Sequence, residues 1–334
     1  MRRTLATITA ATLAVTAATA CGGRQDAATT DAGGDVTCEV ANETRVGIAT
    51  GNATGVYFAL GNAYAAQLSA TGGKVKATAS ETGASVQNIQ QLVAGSFDVA
   101  FSLADTAADA VNGTGSFTAK QPVAAISRIH TNYTQVIVRK AAGISDVAGM
   151  RGKRVSTGSP KSGTEVIANR VLTAAGLDPA ADVSAQKLDL TKTVDGIKEG
   201  TIDAMFWSGG LPTPGVTDLM TTSAAQVEFL DITPLLPELQ KINPVYEAGT
   251  IPAATYKTAA DVKTIVVPNM LLVRENLDAN VACVLTKALF DRKQQLEQAT
   301  AAAKEISLEK ARLTDPVPLH RGATKALDDL AAPK

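Results

Sequence analysis

The 334-residue chain is 45% hydrophobic and 4% aromatic, and its 31 basic and 32 acidic residues leave a formal net charge of -1. That length is ample for one large or two moderate domains with real cores. The even charge balance removes the electrostatic case for a nucleic-acid partner, which would call for a clear basic excess. A composition rich in alanine and poor in aromatics fits an α/β protein better than an all-β one.

Arg2 and Arg3 form a basic start, and the uncharged run from Leu5 to Ala20 contains neither Gly nor Pro. A run this short reads as a cleavable export signal rather than a membrane span. The small residues Ala18, Thr19 and Ala20 lead into Cys21, and the segment resembles a bacterial lipobox, with Ala18 where leucine is usual. The resemblance implies a signal over residues 1–20 and a lipid on Cys21. A plain secretory signal is the alternative, and Arg2-Arg3 fits either the general or the twin-arginine export route. Residues 21–43 carry hardly any large apolar side chain and read as a flexible tether. No later segment approaches the roughly 18–20 apolar residues of a span, so the expected location is the outer face of the cytoplasmic membrane, held by lipid alone. Cys38 and Cys283 remain. In an exported chain an even pair suggests one disulfide, with two buried thiols as the alternative.

Thr44 to Thr50 alternates like a strand, a glycine turn (Gly51 to Gly55) follows, and Val56 to Ala70 is helical in pattern. Lys74 to Ser80 is a second strand. Val86, Ile89, Leu92 and Val93 then give one apolar helical face. Phe97 to Phe101 is a short strand that leads to Asp105 and another helix. Val123–Arg128 and Gln135–Arg139 read as two further strands. The pattern restarts with a strand over Gly152–Ser156, a loop over Gly158–Gly163 and a helix over Thr164–Ala175. A buried strand, Ile202–Trp207, ends at Ser208-Gly209-Gly210, and Val281–Leu313 is largely helical. Repeated strand–turn–helix units imply mainly parallel sheets flanked by helices. Two such sets predict two lobes, residues 44–138 with 265–334 and residues 139–264.

In open α/β sheets ligands sit beyond the carboxyl ends of the strands. Thr54-Gly55, Ala84-Ser85 and Ser162-Gly163-Thr164 each place glycine or a small residue there, at a helix start. Such starts offer unsatisfied N–H groups and partial positive charge to a carboxylate or phosphate. Each loop taken singly also reads as an ordinary capped turn. Enzyme motifs fail. Gly158 to Thr164 has the glycine spacing of a P-loop but Thr164 replaces its lysine. His130 and His320, the only histidines, sit in no nucleophile–base pattern, and no Asp, Glu, His or Cys spacing suggests a metal.

At these loops the chain resembles the TAXI family of solute receptors, which serve TRAP-type transporters. The matching stretches are Gly51–Phe58, Glu81–Asn88, Gly152–Glu165, Gly200–Phe206, Thr250–Tyr256 and Pro318–Ala323, in the family's order. The resemblance implies a type II periplasmic-binding-protein fold, two lobes with a ligand cleft between them, and a monomeric receptor without catalysis or cofactor. Its implied ligand is a small carboxylate, glutamate-like or 2-oxoacid-like, passed to a TRAP-type permease. Carried over motif by motif, Thr54, Gly55, Tyr57, Ser85 and Asn88 would line the cleft from lobe one, with Asp105 reading an amino group. Ser156, Thr157, Ser162, Gly163 and Thr164 would line it from lobe two, with Ser208 and Gly209 at its back. Asp105 also reads as a helix cap and Tyr57 as a core aromatic. The family often has glutamine beside that aspartate, where this chain has Leu103-Ala104-Asp105. Arg128 and Lys161 are the nearest candidates for a charge clamp. A receptor reporting the same solute to a membrane kinase is the alternative, and a hydrolase or transferase using Ser162 or Ser85 a more distant one.

Overall fold

The computed structural model describes residues 33–70 and 73–332. The expected export signal and Cys21 lie outside them. The chain opens with β1 (Thr44–Ala49), α1 (Val56–Ala70), β2 (Val75–Ser80), α2 (Ser85–Val93), β3 (Val99–Leu103) and α3 (Ala104–Asn112). β1 runs parallel to both β2 and β3, so each connection must cross over and does so as a helix. α2 turns Val86, Ile89 and Leu92 inward, the face that its apolar spacing dictates. Gly113, at φ 70°, ends α3 in the left-handed conformation that favours glycine.

The long strand β4 (Val123–Arg139) leads to a second set: β5 (Arg154–Ser156), α4 (Gly163–Ala174), β6 (Ser184–Gln186), α5 (Leu190–Glu199), β7 (Ala204–Gly209) and α6 (Pro214–Ser223). Here β5 is parallel to β6 and β7. The chain returns through β8 (Val227–Phe229), α7 (Leu236–Ile242), β9 (Glu247–Ile251), α8 (Ala253–Tyr256) and β10 (Val262–Arg274). The tail folds as α9 (Ala279–Asp291), α10 (Lys293–Ala299), α11 (Leu308–Ala311) and α12 (Arg321–Ala331).

The strands run β2-β1-β3-β10-β4-β7-β5-β6, with β8 on β4 and β9 on β10. Within each set the pairing is parallel. The antiparallel pairs all involve β4 or β10, the two strands that carry the chain between the sets. β4 lies against β10 as far as Tyr133 and against β7 from Tyr133 onward. It is one strand of 17 residues, whereas its sequence reads as two. The polar stretch that divides its pattern, His130 to Thr134, sits inside the crossing, with His130, Asn132 and Thr134 buried. In β10 the register slips between Pro268 and Met270, where proline has no N–H to give the ladder.

The tail returns to the first set. The Tyr64 hydroxyl of α1 donates to the Leu285 carbonyl of α9 at 2.6 Å, and α9 shares a buried cluster with β1, α1 and β2. The His320 side chain accepts the Gly322 N–H and so caps α12. At the other end Cys38 and Cys283 form a disulfide with Cα atoms 5.2 Å apart, an ordinary spacing. The Asn280 carboxamide oxygen accepts the N–H groups of Thr37 at 2.8 Å and Cys38 at 3.0 Å. The chain is therefore fastened from Thr37 onward, inside the stretch to residue 43 whose composition suggests a free tether.

The bridge closes a sequence separation of 245 residues, so its loss releases a large loop in the unfolded chain. Cys38→Ser with Cys283→Ala should cost about 2–4 kcal/mol, seen as a lower unfolding midpoint. An unchanged midpoint would show that the bridge adds no constraint.

Candidate functional site

Three helix starts meet at one cavity. Gly55, Val56 and Tyr57 bring the start of α1, Ala84 and Ser85 that of α2, and Ser162, Gly163 and Thr164 that of α4. Trp207 to Gly210, where β7 ends, form another wall, and Gly51, Asn52, Gly83 and Leu103 complete the lining of a narrow cavity of about 30 Å³. α1 and α2 belong to the first set of elements and α4 to the second, so the cavity lies between the two.

Local chemistry explains each start. The Gly55 N–H donates to the Asn52 carbonyl at 2.8 Å and closes the turn before α1. Ser162 caps α4 by accepting the Glu165 N–H at 2.9 Å. Ala84, before α2, holds φ 78° and ψ -151°, a region almost confined to glycine that costs on the order of 1–3 kcal/mol. Such strain persists only where the surroundings impose it. Gly163 lets the two sets approach. A Cβ there would lie 2.5 Å from Leu103 Cδ1 and 2.6 Å from Ser85 Oγ.

The walls are closed on each other. The Gln87 N–H of α2 donates to the Lys161 carbonyl at 3.0 Å. The Asn52 carboxamide oxygen accepts Ser159 Oγ and the Leu190 N–H, both at 3.1 Å. Thr54 Oγ1 lies 3.3 Å from Thr191 Oγ1, and the Thr54 carbonyl accepts the Gly215 N–H at 3.3 Å.

Among the described residues the lining contains no acidic, basic or imidazole side chain. Its hydroxyls share one arrangement. Ser85 Oγ accepts the Leu103 N–H at 3.1 Å, Ser162 Oγ that of Glu165, Thr164 Oγ1 that of Ser208 at 3.2 Å, and Ser208 Oγ the Asn132 amide. Each oxygen accepts one N–H, which leaves a second lone pair and the O–H. The N–H groups of Ser85 and Val86 on α2, and of Gly163 and Thr164 on α4, have no protein acceptor among the described residues, as is usual in a helix's first turn. Tyr57 donates to the Asn269 carboxamide oxygen. Burial pushes its phenol well above the ordinary value, the Ser85 contact pulls it down and the Asp105 charge adds to the rise, so it stays protonated.

Of the side chains singled out in the sequence, Gly55, Tyr57, Ser85, Ser162, Gly163, Thr164, Ser208 and Gly209 border the cavity. Thr54, Asn88, Asp105, Ser156 and Thr157 do not. The Asn88 amide is fully buried and donates to the carbonyls of Thr50 at 2.7 Å and Phe101 at 2.8 Å, which ties the ends of β1 and β3 together. Ser156 Oγ pairs with Thr193 Oγ1 at 2.6 Å, and the Thr157 N–H donates to Gln186 at 3.0 Å. Thr54 joins the facing edges as described above.

Asp105 is not left to read an amino group. Its carboxylate lies 3.0 Å from Arg170 of α4 and also accepts the Tyr246 hydroxyl. The same guanidinium reaches Asp109 at 2.6 Å. Burial raises the Asp109 carboxyl and Arg170 pulls it back down. Lys161 turns to Gln90 at 3.2 Å, and neither it nor Arg128 borders the cavity. Ala84 does border it, beside Ser85 as the helix-start loop implies, whereas Val56, Leu103 and Trp207, which also do, carry no polar pattern that marks them in the sequence.

The strand order, with two parallel sets joined through β4 and β10, is the two-lobe type II periplasmic-binding-protein fold. The chain belongs to the NMT1-like family, whose profile matches residues 48–329. Among solved structures it resembles a protein from Bordetella bronchiseptica RB50 (TM-score 0.53, 19% identity, 85% of this chain and 82% of that one covered). It also resembles a binding protein component of an ABC phosphonate transporter from Pseudomonas aeruginosa (0.53, 14%, 86% and 96%). A third is PhnD1 from Prochlorococcus marinus in complex with methylphosphonate (0.51, 12%, 79% and 92%).

The Asp105–Arg170 pair yields a double-variant test. Arg170→Met leaves Asp105 buried without its counter-charge and should cost about 3–5 kcal/mol. Adding Asp105→Asn should recover much of that, as read by denaturant unfolding. Equal losses in the single and double variants would mean that the ion pair is not what Arg170 supplies.

Proposed function

We propose that the protein is an extracytoplasmic solute receptor that closes on a small carboxylate and delivers it to a membrane permease. The observation that carries this is the convergence of three helix starts on one cavity whose lining bears no charged side chain. Helix starts attract anions through N–H groups and partial positive charge. In a confined site away from bulk water that attraction is stronger than at a surface. The strained Ala84 backbone and the close approach at Gly163 support a geometry kept for a ligand rather than for packing. The NMT1-like family and the likeness to transport binding proteins support the receptor class.

The TAXI-like motifs favour a TRAP-type permease and a ligand of the glutamate or 2-oxoacid kind. Anchoring through Cys21 would hold the receptor near its permease and make docking effectively intramolecular. Opening would part α2 from α4 to admit the ligand, and closure would bury it between them. No bond in the ligand changes.

Residues 33–334, with the disulfide formed, would be screened by thermal shift against small acids and neutral solutes. An acid at 100 times its dissociation constant should stabilise the protein by about 2.7 kcal/mol. That shift should shrink in Gly163→Ala, whose added methyl props the helix starts apart. Stabilisation by neutral solutes and by no acid would overturn the carboxylate reading.

A further inference from the structure

The lining of this cavity also bears on what else the ligand carries. We infer that the bound acid has no ammonium group: it is a 2-oxo acid or another acid without an amine, and not an amino acid. The inference rests on the proposed carboxylate site and adds the distinction between two ligand classes that share a carboxylate.

An ammonium offers three N–H donors and no acceptor. Buried, it needs acceptors, and above all a negative charge, because an unpaired buried charge is costly. Among the described residues no carboxylate borders the cavity. Asp105, the acid whose charge is felt at Tyr57, is held by Arg170 and Tyr246. Glu165, in the first turn of α4, accepts the Lys161 N–H at 2.7 Å and pairs with Lys187 at 2.7 Å.

The neutral acceptors are partly engaged as well. Ser85, Ser162, Thr164 and Ser208 each already accept an N–H. The Asn52 oxygen accepts two donors and the Tyr57 hydroxyl points its proton at Asn269. Each hydroxyl keeps one lone pair, but the side chains of the lining carry no negative charge to pair with an ammonium, and the three helix starts add positive potential that repels a cation. A 2-oxo group reverses the match. Its oxygen accepts from hydroxyl or amide donors, and its carbon chain meets Val56, Ala84, Leu103 and Trp207.

The test is calorimetric titration of the disulfide-bonded protein with matched pairs that differ only at C2. Pyruvate would be set against alanine, 2-oxoisovalerate against valine, and 2-oxoglutarate against glutamate. In the pair that binds, the oxo acid should be tighter by on the order of 100-fold, the cost of leaving one buried polar group without its partner. An amino acid that binds as tightly as its oxo partner, or more tightly, would overturn the inference and leave the carboxylate receptor standing. Binding by neutral solutes, with no member of any pair bound, would instead overturn the carboxylate site on which it rests.

Discussion

The positive ends of α2 and α4, brought together from the two sets of elements, are the constraint on which the rest of the molecule turns. Like ends of two helix dipoles repel, yet the chain places Gly163 against Ser85 so closely that a single methyl would not fit without displacement. The approach is held by contacts outside the cavity: Gln87 on the Lys161 carbonyl, Asn52 on Ser159 and Leu190, and Arg170 on Asp105 and Asp109. In the proposed receptor an anion between the helix starts would remove the repulsion, and closure and ligand capture would be the same event.

The strands that cross between the two sets would give that closure its geometry. Among the described residues β4 and β10 join the two parallel sets within one ten-stranded sheet, and a polar chain runs across them behind the cavity. Tyr57 bonds to Asn269 on β10. Asn269 reaches the His130 carbonyl at 3.1 Å and Asn132 on β4, and Asn132 reaches Ser208 at the end of β7. Both ends of this chain border the cavity. His130 is buried beside it, and burial lowers its pKa while the Thr131 carbonyl and the Glu305 charge raise it. A buried polar network of this kind is costly unless satisfied, and when satisfied it selects one arrangement of the strands.

How much of this was legible followed the range of each interaction. Parallel strand–turn–helix units are local, and their glycine loops and apolar periods marked α1, α2 and α4 to within a residue or so. The division of β4 into two strands failed because His130 to Thr134 looks like a polar loop. His130, Asn132 and Thr134 are buried because β10, more than a hundred residues on, supplies their partners. Asp105 failed similarly. Nothing near it in sequence announces that Arg170 and Tyr246 will take its carboxylate. Asn88 sits on a helix of otherwise mixed polarity, and its role as a tie between strand ends appears only once β1 and β3 are side by side. Trp207 and Leu103 were invisible as cavity walls because an apolar residue at a strand end reads as core.

The most direct measurement is a crystal structure of the protein with a bound acid identified by titration. The account predicts the carboxylate between α2 and α4, with its oxygens within about 3 Å of the N–H groups of Ser85 or Val86 and of Gly163 or Thr164. An acid seated instead in the outer groove beside Lys161 and Arg170, with these helix starts untouched, would contradict it.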